Sequence, residues 1–220
     1  MLGAALALGM TVARADSPAL LREDAASIES NLHLPDGTEP GRYDVLCEMR
    51  VRPDGTSGDV NCYGADSVPQ ILVKAVVKAS ERAQFVPATR DGQPAQVYMV
   101  LMVRVVIANG EPLVLALPNN GVEHARLGLF YIAPQRFNEF GQLNSGLSRS
   151  STSANGLVWQ ELWVDEHGKV TSSKLKNESG APRDIVEAIQ RSVDNMQFMP
   201  GLVDGKPVAM RYLEPSWVSF

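Results

Sequence analysis

The chain has 220 residues, of which 45% are hydrophobic and 20% are charged, an ordinary composition that allows one or two domains with a buried core. Its formal net charge of −5 argues against nucleic acid or an anionic membrane surface as a partner.

Residues 1–15 are predicted to be a cleaved signal peptide. They are apolar and small, and Ala13-Arg14-Ala15 has the form of a signal-peptidase site. The apolar run is too short to span a bilayer, so a retained anchor is the weaker alternative. No Lys or Arg precedes it, and a start upstream of residue 1 therefore stays open. We expect a mature, periplasmic chain that begins near Asp16.

Residues 16–42 are predicted to be an N-terminal arm, partly ordered at best, with a weak helical pattern followed by the turn-rich LPDGTEPG. Repeat 1, residues 43–108, then begins with a strand in which apolar and polar residues alternate. Asp54-Gly55 predicts a hairpin turn, and residues 57–63 the return strand. A helix with its apolar stripe at Leu72, Ala75, Val76, Ala79 and Ala83 follows.

Phe85 opens a short extended segment, and Asp91-Gly92 turns the chain into the long strand QVYMVLMVRVVI. This strand is apolar on both faces, whereas a strand wetted on one face would alternate. We therefore expect another element to cover its second face or its edge.

Cys47 and Cys62 are the only cysteines, and an exported chain would oxidise such a pair. Both are equidistant from the predicted Asp54-Gly55 turn, so they would face each other on antiparallel strands. A disulfide there would add about 3 kcal/mol of stability. Two buried thiols are the alternative.

Residues 109–155 are predicted to connect the repeats. PLVLALP and RLGLFYIAPQRF are apolar enough to pack on one of them, and GQLNSGLSRSSTSANG is the predicted flexible linker.

Repeat 2, residues 156–220, has the same order of elements: a strand, a turn at His167-Gly168, a return strand, a helix at 181–196, an Asp204-Gly205 turn and a final strand. Pro215 in that strand indicates a sheet edge. Trp159 and Trp163 share the face opposite the predicted core. They either pack under the connector or against repeat 1, or form a partner-binding surface.

The two repeats match without a gap at an offset of 113 residues, and QFVPATRDGQP recurs as QFMPGLVDGKP. The predicted fold is therefore α+β, with two tandem modules of β-β-α-β-β order, each an antiparallel sheet with one helix on it. Asp91 and Asp204 are interpreted as turn residues rather than catalytic groups. The shared motif consists of Gly55, Phe85, Pro87, Asp91, Gly92 and Pro94, and of Gly168, Phe198, Pro200, Asp204, Gly205 and Pro207.

No catalytic constellation, metal-ligand spacing or phosphate-binding glycine loop stands out. We therefore expect no catalytic, cofactor or metal site and no enzyme activity. An enzyme with its site between the repeats is the less favoured alternative.

The repeated motif resembles the C-terminal domain of TonB proteins over residues 43–107 and 156–220. The resemblance implies a module that receives an extended peptide from a periplasmic or outer-membrane protein as an added strand. Candidate edges are Gln96–Ile107 and Ala209–Phe220. The side chains predicted to bind the partner are Trp159, Trp163, Met210, Tyr212 and Trp217.

The membrane anchor and Pro-rich spacer of an energy transducer are missing from the sequence. The expected function is therefore that of a periplasmic binding or adaptor protein, with a link to TonB-dependent transport. An anchored transducer with a truncated start is the alternative, and a homodimer stays open.

Overall fold

The structure is a computed structural model that describes residues 16–137, 156–176 and 183–218. It has an α+β fold built mainly from antiparallel strands, as predicted. The predicted signal peptide and residues 141–155 of the predicted linker lie outside the described residues. In the part of the chain that is described, no helix is long and apolar enough to cross a membrane.

The N-terminal arm is ordered, which corrects the expectation of a partly ordered segment. It forms strand β1 (Leu20–Leu21) and helix α1 (Ile28–Asn31). Burial of apolar side chains holds the arm against the core. These side chains are Ala19, Ile28 and Leu32.

Repeat 1 begins with the predicted hairpin and helix. Strands β2 (Gly41–Val51) and β3 (Ser57–Gly64) are antiparallel, and helix α2 (Gln70–Arg82) packs against them. Alternate side chains of β2 point into the core, as a period of two predicts. The buried side chains of this strand face and of the helix include Val45, Cys47, Met49, Val51, Leu72, Val76 and Ala79.

Cys47 and Cys62 form the predicted disulfide, with Cα atoms 4.1 Å apart. Next to the turn, Arg50 pairs with Gly58. If this register continued along the hairpin, Cys47 would pair with residue 61 instead of Cys62. A β-bulge corrects the register at Asp59, whose φ is +52°. The pairing of the cysteines therefore depends on the bulge, which the sequence-based symmetry of the hairpin did not include.

After α2 the chain forms three short strands, one long strand and the elements of the connector. These are β4 (Phe85–Val86), β5 (Ala88–Arg90), β6 (Gln93–Ala95), β7 (Val97–Ala108), β8 (Glu111–Leu117), helix α3 (His124–Leu127) and β9 (Gln135–Arg136).

The long strand β7 is an interior strand, so the predicted open edge at Gln96–Ile107 is wrong. It pairs with β2 on one side, and with β8 and β9 on the other. The apolar connector segment PLVLALP supplies most of β8, which confirms the expectation that the connector packs on a repeat. The edge that the sequence left free is thus covered by residues that follow it.

Repeat 2 forms a three-stranded sheet in the order β11-β10-β15. Its elements are β10 (Gly156–Val164), β11 (Val170–Leu175), helix α4 (Arg183–Ser192), a 3-10 turn (Val193–Asn195), and strands β12 (Phe198–Met199), β13 (Leu202–Val203), β14 (Lys206–Pro207) and β15 (Met210–Val218). Pro215 lies in an edge strand, as predicted.

Residues of repeat 2 cover the second face of the repeat 1 sheet. Val100 of β7 is buried and Leu46 of β2 packs beside it, both in a core made otherwise by repeat 2 and the connector. The expectation of a cover for the doubly apolar strand is therefore confirmed. The buried members of this core from repeat 2 are Leu162, Val164, Met196, Phe198, Met210 and Tyr212.

The segments that precede the two repeats pair in the same way. β1 pairs with β4, and β9 pairs with the equivalent strand β12. Through β9, strand β12 joins the sheet of repeat 1, so that sheet contains one short strand of repeat 2. The division into separate modules at residues 109–155 stays a prediction.

The repeated glycines Gly55 and Gly168 make the same backbone contact. Their φ angles are +82° and +79°, and a Cβ at either position would collide with the carbonyl oxygen of Phe85 or Phe198. These phenylalanines donate their N–H groups to the glycine carbonyls at 2.8 and 3.2 Å. The shared motif therefore fastens the hairpin turn to the segment after the helix.

The two Asp-Gly pairs of the motif are hairpin turns, as predicted. Asp91 and Gly92 have φ angles of +52° and +74°, and Asp204 and Gly205 have +50° and +74°. Two successive positive φ angles define the type I′ turn, which suits a two-residue hairpin. The turns connect β5 to β6 and β13 to β14.

Candidate functional site

The outer edge of β15 is the candidate binding site. Among the described residues, β15 pairs with β10 alone, whereas the equivalent β7 has strand neighbours on both sides. The Lys176 N–H donates to the Trp159 carbonyl, so the backbone groups of Trp159 point toward β11. Because backbone groups alternate in direction along a strand, odd-numbered residues of β10 bond to β11 and even-numbered residues bond to β15. The register pairs even residues with even, and the backbone groups of Arg211 and Leu213 therefore point outward.

Glu123 of the connector accepts a hydrogen bond from the outward-pointing N–H of Arg211. Its Oε1 accepts this N–H at 2.8 Å and the Arg211 Nε at 3.0 Å. Its Oε2 accepts the Arg126 Nε at 2.7 Å. The Glu123 side chain is 0% exposed. Both of its carboxylate oxygens therefore need hydrogen-bond donors from the protein, and both have them.

Two further side chains of the connector bind the same edge. Asn120 Nδ2 donates to the carbonyl of Leu213 at 3.3 Å, and Arg126 Nη2 donates to the carbonyl of Ala209 at 3.0 Å. Together with Glu123 they occupy the edge from residue 209 to residue 213. We call residues 120–126 the edge clasp.

Hydrogen bonds from the surrounding residues stabilise the negative charge of Glu123. Burial would raise the pKa of its carboxyl, but hydrogen bonds from Arg126 and from the N–H and guanidinium of Arg211 hold that pKa below its ordinary value. Glu123 therefore stays ionised at neutral pH and keeps both arginines paired.

Of the four predicted partner-binding side chains that the structure describes, Trp163 is the most exposed. Trp163 is 37% exposed, with the Arg126 guanidinium 5.9 Å from its ring centre. Trp159 packs edge-on against Tyr63 of repeat 1, with ring centres 5.6 Å apart.

Met210 and Tyr212 are both fully buried, and a partner that touches β15 would not reach their side chains. This burial argues against direct contact of these two side chains with a partner, and their role stays a prediction. The side chain of Trp217 lies outside the described part of the chain.

A buried charge cluster lies between the two repeats, and sequence analysis missed it. Arg136 is 1% exposed and makes an ion pair with Glu214 at 2.9 Å. Its Nη2 lies 3.7 Å from Glu48 Oε1, and its guanidinium is 4.6 Å from the centre of the Tyr98 ring. Among the described residues, two carboxylates thus share one arginine, and these three groups together carry one negative charge when both carboxylates are ionised.

That shortage of positive charge changes the titration of Glu48. Burial and the negative charge of Glu214 raise the pKa of Glu48 to about 8, against the opposing effect of Arg136. Burial and the same two carboxylates raise the pKa of Tyr63 to about 12. At neutral pH Glu48 is therefore mostly protonated.

The signal for this cluster was present in the mismatches of the repeat. In repeat 1, Cys47 and Leu101 are buried neighbours on adjacent strands. The equivalent positions of repeat 2 hold Gln160 and Glu214, which are also buried neighbours on adjacent strands. The position equivalent to Leu21 holds Arg136, since each of them faces the motif phenylalanine of its repeat. Polar residues at positions that are apolar in the other copy mark the site.

Some polar atoms of this cluster have no hydrogen-bond partner among the described residues. They are both amide atoms of Gln160. Burial and the nearby charge of Glu214 raise the pKa of Tyr212 well above its ordinary value, so the hydroxyl stays protonated. No group of three His, Cys, Asp or Glu side chains suited to a metal occurs in the part of the chain described.

In comparisons with known proteins, no family model, curated protein or solved structure matches this chain. The TonB resemblance of the repeated motif therefore stays a prediction, and function is inferred from the two sites above.

Proposed function

We propose that this protein binds an extended segment of a partner protein by β-strand addition at the outer edge of β15. The observation that carries the proposal is the difference between the two long strands. Among the described residues, the connector supplies strand neighbours for β7, while its contacts along the outer edge of β15 involve side chains. Outward backbone donors and acceptors are what an extended peptide needs to join a sheet.

Pro215 supports the same assignment. It lies at an outward-facing position, where a proline removes no hydrogen bond to β10. A proline on the outward side also limits how far a second chain can extend the sheet without a specific match. A partner strand would therefore pair with the short stretch of the edge before Pro215, in place of the side chains that bind it now.

We propose export to the periplasm as the setting. A disulfide such as Cys47–Cys62 forms and persists in an oxidising compartment, and the predicted signal peptide provides a route to one. The motif resemblance adds a role as an adaptor linked to TonB-dependent transport. An anchored energy transducer with its membrane helix upstream of residue 1 is the alternative, and recovery from cells in the membrane fraction would favour it.

Glu48 supports a different candidate, an enzyme with its site between the repeats. A carboxyl whose pKa is raised by burial and by a second carboxylate is typical of a general acid. Hydrolysis of ester or peptide substrates that is lost in Glu48→Gln would favour that candidate. Absence of hydrolysis in the wild-type protein would remove it.

Leu213→Pro tests the strand-addition proposal, because it removes an outward N–H from β15. Ser173→Pro is the matched control, since residue 173 faces outward on β11, the opposite edge of the same sheet. We expect a partner captured from periplasmic extract by the wild-type protein to be lost at least tenfold with Leu213→Pro and retained with Ser173→Pro. Equal capture by both variants would contradict the proposal.

A further inference from the structure

We propose that the edge clasp, residues 120–126, is an autoinhibitory segment that a partner carrying a carboxylate displaces from β15. The inference rests on the proposed function and names two things it leaves open: how access to the edge is controlled, and the chemistry of the partner. The clasp occupies backbone groups that a partner strand would need.

The contacts of the clasp imitate those of an added strand. A neighbouring strand would offer a carbonyl oxygen to the Arg211 N–H and an N–H to the Leu213 carbonyl. The Glu123 carboxylate takes the first place at 2.8 Å and the Asn120 amide takes the second at 3.3 Å. A partner strand and the clasp therefore cannot occupy these groups together.

The clasp is held on β15 by groups that a partner can replace. Where β8 is held to β7 by a ladder of paired residues, the clasp bonds the edge through side chains and through one bond from Arg211 Nη2 to the Val122 carbonyl. Exchange of these bonds for main-chain bonds to a partner leaves no outward group of residues 211–213 without a partner.

The chemistry of the partner follows from the guanidinium of Arg211, which loses its carboxylate when Glu123 is displaced. Its departure removes the carboxylate from the Arg211 guanidinium, whose pKa Glu123 now raises through a hydrogen bond and through its charge. A partner strand with Glu or Asp beside Arg211 restores this pair, and a neutral strand does not. We therefore assign the site to an extended segment with an acidic residue.

The test combines two measurements on the full chain. The first is hydrogen–deuterium exchange of the Arg211 amide, which reports opening of the clasp. The second is binding of a synthetic Thr-Val-Thr-Glu-Thr-Val-Thr peptide, compared with the same peptide carrying Gln in place of Glu. Both are made on the wild type and on Glu123→Ala, with Glu123→Gln as a second variant that keeps the shape of the side chain.

Glu29→Gln is the matched control. Glu29 Oε1 accepts the Ala116 N–H of β8 at 2.8 Å, so it protects a different strand by the same kind of bond. We expect Glu123→Ala to speed exchange at Arg211 about tenfold, because the lost bond is to a charged acceptor, and Glu29→Gln to leave it unchanged. We also expect the Glu peptide to bind Glu123→Ala about tenfold more tightly than the wild type, and more tightly than the Gln peptide does.

The outcomes separate the two proposals. Equal peptide binding to the wild type and to both Glu123 variants would overturn the clasp and leave strand addition standing. Unchanged exchange at Arg211 in both variants would also overturn the clasp. Faster exchange without binding of either peptide would overturn strand addition at this edge, and the clasp as a regulator with it. Equal affinity for the Glu and Gln peptides would overturn the acidic partner.

Discussion

Gly168 shows how one residue type can be fixed by a single atom. Its positive φ is permitted to glycine, but so is that of Gly205, whose added Cβ would meet nothing within 4 Å. The difference is the carbonyl oxygen of Phe198, which lies where the Cβ of residue 168 would be. The requirement for glycine at 168 is therefore steric as well as conformational.

We predict that Gly168→Ala lowers the free energy of unfolding by about 2–4 kcal/mol, while Gly205→Ala lowers it by about 1 kcal/mol. The alanine at 205 bears only the cost of a left-handed residue, whereas the one at 168 must also move the Phe198 backbone. Urea denaturation of both variants measures the difference. Equal losses would show that the carbonyl contact is not what selects glycine.

The hairpin of β2 and β3 is the element that the sequence described best. Alternating apolar residues set its inner face, and an Asp-Gly turn set its position. The bulge at Asp59 was not predicted, because nothing in the local sequence distinguishes an extra residue in β3 from regular pairing.

We predict that reduction of the Cys47–Cys62 disulfide lowers the free energy of unfolding by about 3 kcal/mol, since it frees a short loop in the unfolded chain. Cys47→Ser with Cys62→Ser should lose a similar amount and should not respond to reductant. Denaturant midpoints with and without reductant measure this. Alkylation of both cysteines in the unreduced protein would show that the bond does not form.

The edges of the sheets could not be predicted from the strands themselves. Both β7 and β15 end their repeats and have equivalent neighbours in sequence, yet one is interior and the other is an edge. The difference comes from the connector, which gives β7 two strand neighbours and gives β15 the edge clasp. Pairings of this kind join residues far apart in the chain, and local periodicity carries no information about them.

At the scale of the whole molecule, the charge cluster couples the contact between the repeats to pH. Glu48 comes from repeat 1, Arg136 from the connector and Glu214 from repeat 2. Glu48 has an ordinary pKa in the unfolded chain and a pKa of about 8 in the folded chain. At a pH between these two pKa values, its carboxyl is protonated in the folded state and ionised in the unfolded state. The folded state therefore binds more protons in that window and loses stability as pH rises through it.

We predict that the free energy of unfolding falls by on the order of 1 kcal/mol per pH unit as the pH rises from 5 to 8, through the raised pKa of Glu48. Glu48→Gln, which cannot ionise, should flatten this slope and be more stable than the wild type at pH 8. Glu161→Gln, at the equivalent position of repeat 2, should keep the slope because Glu48 is intact. Chemical denaturation across this range decides, and a slope unchanged by Glu48→Gln would contradict the assignment.

The contact between the N-terminal arm and the connector affects the order in which the chain can fold as it emerges. Two hydrogen bonds of 2.8 Å join the backbone of Ala19 to the side-chain amide of Gln135, 116 residues later. In a chain that emerges from its N-terminus, Ala19 lacks these two bonds until Gln135 has emerged. The sheet of repeat 1 is completed later still, because it includes β12 (Phe198–Met199). Most of repeat 1 can therefore form early, but its sheet is complete only after residue 199 has emerged.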